Sequence, residues 1–241
     1  KIVSRRVLYL AVLLHDIAKG SGGDHSVIGE SVAKSLCPRL GLDKAETALV
    51  AWLVRWHLAM SHVAFKRDLE DPKTITDFAQ FVGDEERLSL LLILTVADIR
   101  AVGPDRWNGW KGQLLRTLYE ASSSALAGTY DQSRLQRLIA ARARLKAALS
   151  EWDEQEFMKF SERAYESYWL SLDTDTQLRQ AKLISSRPAN HSELVMETYV
   201  DRVHAVTELT VYFPDNPGLV SQLALAFALS GASVVDARIN T

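Results

Sequence analysis

Over its first 130 residues the chain repeats one pattern, an apolar run at helical spacing followed by a short polar or glycine-bearing break. Residues 5 to 18 are apolar at nearly every position apart from a polar start and the pair His15-Asp16, which predicts a helix buried on most sides. Gly20, Gly22 and Gly23 end it. Asp24 is placed to cap a helix through Val27, Val32, Ala33 and Leu36, stopping at Pro38. A third helix spans roughly Asp43 to Met60, with Leu49, Trp52, Leu53, Trp56 and Met60 three and four apart and His57 near its end. Asp71-Pro72 opens a fourth through Ile75, Phe78, Ala79 and Val82, stopped by Gly83. Asp84 begins ERLSLLLILTVADIRAV, almost wholly apolar until Asp98 and closed by Gly103-Pro104. A turn bearing Trp107 and Trp110 leads into a helix from Leu114 to Ala127. Helices in succession without an alternating strand pattern predict an all-α domain.

From Asp131 to about Leu183 the pattern stays helical but more charged. Its second run carries Phe157, Phe160, Tyr165, Tyr168 and Trp169, expected to pack back on the domain or on a partner subunit. Ser185-Ser186-Arg187-Pro188 reads as linker. The period then changes: His204 to Phe213 alternates with β-branched residues and predicts a strand. A turn at Pro214 to Gly218, an apolar helix from Leu219 to Leu229 ended by Gly231, and a second strand from Ala232 to Ile239 make a β-α-β unit. The predicted organisation is a helical domain over 1–130, a helical extension and linker over 131–200, and a β-α-β piece over 201–241.

Composition narrows the class. With 47% apolar and 24% charged residues, the 241-residue chain can bury a real core. A net charge of −2 argues against nucleic acid or an anionic membrane as a general partner. Cys37 is the only cysteine, so no internal disulfide forms and a reducing, cytoplasmic setting is expected. The apolar run Leu88 to Ala97 is too short to span a bilayer. The basic-then-apolar start resembles a signal peptide, but His15-Asp16 stands where a small-residue cleavage site belongs, so it reads as a helix of the fold. Opening in mid-helix and closing after an apolar strand, the chain looks like a piece of something longer.

Candidate chemistry centres on His15-Asp16. Neighbours on a helix point about 100° apart, so the two can share one ion only if it sits between that helix and others that supply further ligands. Asp98, ending an apolar helix, would be costly to bury without a cation. His57 and His25 each stand at a helix end or loop beside the same groove. Imidazoles with carboxylates suit Mn, Fe, Zn or Mg, the carboxylates favouring harder ions. Each residue alone has a plainer reading: Asp98 bonded to Arg100 or Arg106, His57 and His62 as packed imidazoles, Lys19 as a solvated cation. Their combination in this order goes past those readings.

The segments HDIAKG, GGDHS, VAWLVRWHLAMS and LTVADI resemble the HD superfamily of metal-dependent phosphohydrolases. The match is closest to the uridylyl-removing domain of the bifunctional uridylyltransferase/uridylyl-removing enzymes that modify the nitrogen-signalling protein PII. It extends through KRDLEDP (Lys66 to Pro72) and WNGWKGQLL (Trp107 to Leu115), covering roughly residues 7 to 128. The resemblance implies an all-α HD-domain helical bundle followed by a truncated α+β, ACT-like, ferredoxin-like fragment. Carried over, His15, Asp16 and Asp98 become metal ligands, with His25 and His57 as further or supporting ones, and Asp16 and Lys19 acting in catalysis, Lys19 at the phosphate. His62 is not part of the carried motif. The implied reaction is hydrolysis of the phosphodiester joining UMP to PII, with a divalent metal, Mg or Mn first and Fe or Zn next. Glutamine is the implied effector, and Asp215, Asn216 and Gly218 are candidates for binding it in the ACT-like turn.

The chain departs from the family pattern in three ways. No histidine precedes His15, although the superfamily pattern begins with one. No nucleotidyltransferase motif is present, since Asp173-Thr174-Asp175 lacks the Gly-Ser turn that should precede it. Half of an ACT fold leaves strand edges unpaired. The chain alone is therefore expected to bind metal weakly and hydrolyse poorly. Two rival readings are an HD phosphohydrolase of a free nucleotide such as guanosine tetraphosphate, and a non-catalytic ACT-regulated binding module.

Overall fold

The computed structural model describes residues 4–103, 106–185, 194–203, 206–213 and 217–239. Short polar side chains start the helices of the first 134 residues. Ser4 caps α1 (Arg5–Leu14), and Asp24 caps α2 (His25–Leu36) by accepting from the Ser26 amide at 2.9 Å. Asp43 and Glu46 form a reciprocal capping box on α3 (Lys44–Trp56). Asp71 with Pro72, then Asp84 and Asn108, open α5 (Pro72–Val82), α6 (Glu85–Ala101) and α7 (Gly109–Leu126). α4 (Ala59–Lys66) starts without such a cap, because it continues from α3 after a break at His57-Leu58.

These helices belong to one compact unit, residues 1–134 and 202–206. α3 lies at its centre with Val50, Ala51, Leu53 and Val54 buried. α1 and α2 pack on α3, α1 also on α6, and α4, α5 and α6 on α7. The approach of α2 to α3 depends on Gly29, where a Cβ would stand 2.9 Å from Val54 Cγ1. By length and composition alone, Lys44–Lys66 is the one candidate membrane span among the described residues; the chain breaks within it, and it carries core residues of this unit.

Three predicted boundaries move. The helix expected over 5–18 stops at Leu14, and residues 15–20 run on as tight turns, with Ile17 N–H donating to the Leu14 carbonyl and Lys19 N–H to that of Asp16. Gly20, Gly22 and Gly23, all at positive φ, then turn the chain back. His15-Asp16 therefore sits on a turn and not on a helix face. The helix expected over 43–60 is two helices, with His57 at the break. The last helix of the unit starts at Gly109 and not at Leu114, because Asn108 accepts from the Lys111 amide at 2.9 Å.

The second unit comprises residues 135–201 and 207–241. Its helices are the rest of α8 (Tyr130–Ala148), α9 (Glu154–Arg163), α10 (Glu166–Ser171) and α11 (Thr174–Ser185). The aromatic run builds a core of its own from Leu138, Leu145, Leu149, Phe157, Tyr168 and Trp169. Buried Gln177 ties this core together, its amide donating to the carbonyls of Trp169 at 3.2 Å and Leu172 at 3.1 Å. Asp173 caps α11 through Thr176, in keeping with a structural role for Asp173-Thr174-Asp175.

Beyond α11 the chain is α+β, in a different order from the one expected. A two-stranded antiparallel sheet joins β1 (Val195–Asp201), which falls where linker was expected, to β2 (Val206–Tyr212). α12 (Leu219–Ser230) follows with no residue buried. Residues 232–239, expected as a strand, join no ladder. The observed order is β-β-α where β-α-β was expected. The reason is that an alternating sequence becomes a strand only when another backbone edge pairs with it.

Candidate metal centre

The first three helices and α6 bring five predicted residues together. His15 and Asp16 come from the turn after α1, His25 from the first position of α2, His57 from the α3–α4 break, and Asp98 from the last turns of α6. Their ligand atoms form two groups, each within 4.8 Å: His15, Asp16 and Asp98, and Asp16, His25 and His57. Asp16 belongs to both. Its Oδ2 lies 3.7 Å from His15 Nε2, while its Oδ1 lies 3.5 Å from His25 Nε2 and 3.9 Å from His57 Nε2. Asp98 Oδ1 lies 3.4 Å from His15 Nε2.

Backbone carbonyls set the ring tautomers. His15 Nδ1 lies 2.8 Å from the Val12 carbonyl, and His57 Nδ1 lies 2.8 Å from the Val54 carbonyl. A carbonyl only accepts, so each Nδ1 donates its proton there and Nε2 is the nitrogen turned toward the carboxylates. The Nε2 atoms of His15 and His57 face carboxylate oxygens at 3.4 to 3.9 Å. Imidazole nitrogens and carboxylate oxygens converging at this spacing offer an arrangement that a divalent cation can bridge. Three imidazoles and two carboxylates, two of the rings oriented by carbonyls, thus fit such an ion.

The electrostatics agree. Burial is the largest influence on His57 and pushes its pKa below the ordinary imidazole range; His15 adds to this, and the Val54 carbonyl and the nearby carboxylates oppose it. The ring is therefore neutral and able to ligate. For Asp16 burial works upward, but the hydrogen bond and charge of Lys19, helped by the neighbouring imidazoles, outweigh it and hold the carboxyl below its usual range. Lys19 is exposed, with Nζ 2.8 Å from Asp16 Oδ2.

Not every predicted residue joins this cluster. His62 lies on α4 and lines a cavity beside it, outside both groups. Gly218, in the left-handed region at φ 88°, precedes α12 without a side-chain cap. Asp215 and Asn216 lie outside the described residues. Some supporting residues were missed from sequence: Gly29, which lets α2 reach α3, and Arg55, whose guanidinium bridges Asp24 at 3.2 Å and Glu30 at 3.8 Å. A glycine in mid-helix was the one available signal for Gly29. For Arg55 the sequence carries none, because its partners are 31 and 25 positions away.

Residues 2–102 match the HD domain family, so the helical unit is an HD domain, a fold of metal-dependent, hydrolase-type enzymes. At the level of the particular family, the chain is similar along its length to a part of the bifunctional uridylyltransferase/uridylyl-removing enzymes. It is 55% identical to that enzyme of Azospirillum brasilense over 100% of this chain and 26% of the relative. The corresponding figures are 50%, 99% and 25% for Gluconobacter oxydans, and 49%, 100% and 26% for Rhodospirillum rubrum. The chain thus spans about a quarter of the length of the curated relatives it matches. No solved structure matches it.

Proposed function

We propose that this chain supplies the hydrolytic site of an enzyme that removes UMP from uridylylated PII protein. The observation that carries the reading is the pair of His/Asp groups hinged on Asp16, set in an HD domain whose relatives are named as uridylyl-removing enzymes. His15, Asp16 and Asp98 would hold one divalent ion, and Asp16, His25 and His57 the other group's ion, with Mg or Mn preferred by the carboxylates. Such an ion supplies acidification of water and neutralisation of phosphoryl charge.

The chain's own residues do the rest. The Val12 and Val54 carbonyls keep two imidazoles aimed inward. Lys19 brings a positive charge to the open edge of Asp16, where a phosphodiester oxygen would be neutralised. Glutamine regulation through the α+β segment and a cytoplasmic setting belong to the same proposal.

The test is to incubate the full-length protein, with Mn or Mg, with uridylylated PII and separately with free nucleotides including guanosine tetraphosphate. Release of UMP from PII, lost on chelation, supports the reading. Turnover of free nucleotides alone would replace it by the nucleotide-hydrolase alternative, and no turnover of either by the binding-module alternative.

A further inference from the structure

Beside the metal centre an open cavity of about 600 Å³ runs from the start of α2 across the α3–α4 junction to α5. His25 belongs to both, lining the cavity and completing the group with Asp16 and His57. One wall is aromatic. Trp56 and Phe81 meet edge to face with centroids 5.1 Å apart, yet they stay 37% and 38% exposed. Two of the polar groups at the rim are already engaged, Arg55 with Asp24 and Lys73 with Asp77. Arg67 and His62 also line the cavity and form no ion pair among the described residues.

We propose that this cavity is the subsite for the uridine half of the substrate, which places the base against Trp56 and Phe81 and leaves the phosphodiester at the His/Asp cluster. The proposal rests on the hydrolase reading above. A volume of this size fits a nucleoside monophosphate. Part-exposed aromatic rings suit a planar base, which would stack beside the Arg55 guanidinium lying 4.8 Å from the Trp56 centroid. Arg67 and His62 are donors, and uracil offers two carbonyl oxygens that only accept. The PII side of the phosphodiester then leaves the centre away from α5.

The test uses the full-length, Mn-loaded protein and two esters with the same aryl leaving group, uridine 5′-(p-nitrophenyl) phosphate and methyl p-nitrophenyl phosphate. Trp56→Ala and the rim variant Arg67→Ala should each lower selectivity for the uridine ester over the methyl ester about tenfold, mainly through KM. Equal effects on both esters, or a KM effect confined to uridylylated PII, would overturn the assignment; the second outcome would give the cavity to the polypeptide. If the unaltered protein hydrolyses neither ester, release of UMP from uridylylated PII still decides the hydrolase reading, and equilibrium dialysis of UMP decides the subsite. Binding weakened about tenfold by Arg67→Ala supports it; absence of UMP binding overturns it.

Discussion

The Val54 carbonyl accepts the Nδ1 proton of His57 at 2.8 Å, and that bond decides which nitrogen of a buried ring faces Asp16. The same Val54 touches α2, since its Cγ1 is what a Cβ at Gly29 would strike. One residue of α3 thus sets both the aim of one candidate ligand and the distance to the helix bearing another.

The pKa of His57 makes stability depend on pH. Because burial lowers it, the unfolded chain binds this proton more readily than the folded one. The stability it confers is fully present above the ordinary imidazole pKa and is lost as pH falls through the folded value. The melting temperature of metal-free protein should therefore fall between about pH 7 and about pH 5. His57→Gln should flatten that slope, and an unaltered slope would assign it to other groups.

Asp16 serves both ligand groups, and its neighbours serve one each. Asp16→Asn should remove bound metal at both, with hydrolysis reduced on the order of 100-fold or more. His25→Gln should spare the group made by His15, Asp16 and Asp98. Elemental analysis of the variants after Mn loading reads the difference; equal metal content in Asp16→Asn and unaltered protein would show that the cluster does not hold the ion.

Gly29→Ala should destabilise the HD unit although alanine favours helix by up to about 1 kcal/mol. The added methyl would lie 2.9 Å from the fully buried Val54, and relieving that overlap should cost about 1–3 kcal/mol. Chemical denaturation measures the sum. Combining it with Val54→Ala should give less than the two losses added, because the clash is gone; strict additivity would show that α2 yields without touching α3.

Gln177→Leu should loosen the second unit. Its amide serves the Tyr168, Trp169 and Leu172 carbonyls from a fully buried position, and orphaning them should cost about 1–3 kcal/mol. Unfolding followed by tryptophan fluorescence, Trp169 being packed in that core, reports the shift.

Much of the helical unit was legible in sequence because capping and amphipathic spacing are local. Asp24, Asp43, Asp71 and Asp84 announce their helices within three or four residues. Boundaries failed where turns compete with helix at nearly equal cost, at Leu14, where turns take over before the glycines, and at His57-Leu58, where the pattern of buried positions continues across a broken backbone. The strand expected over 232–239 failed for a different reason: alternation describes a face, and pairing needs a second edge.

The sequence by itself determined the candidate ligands, the helices that carry them, and the family to which those segments belong, since all of these depend on residue type and short-range spacing. Tertiary structure alone decided that Asp16 presents one oxygen to each group, that carbonyls of Val12 and Val54 aim the rings, and that a cavity opens at His25. These depend on distances between elements tens of residues apart, which packing sets and which no local pattern encodes.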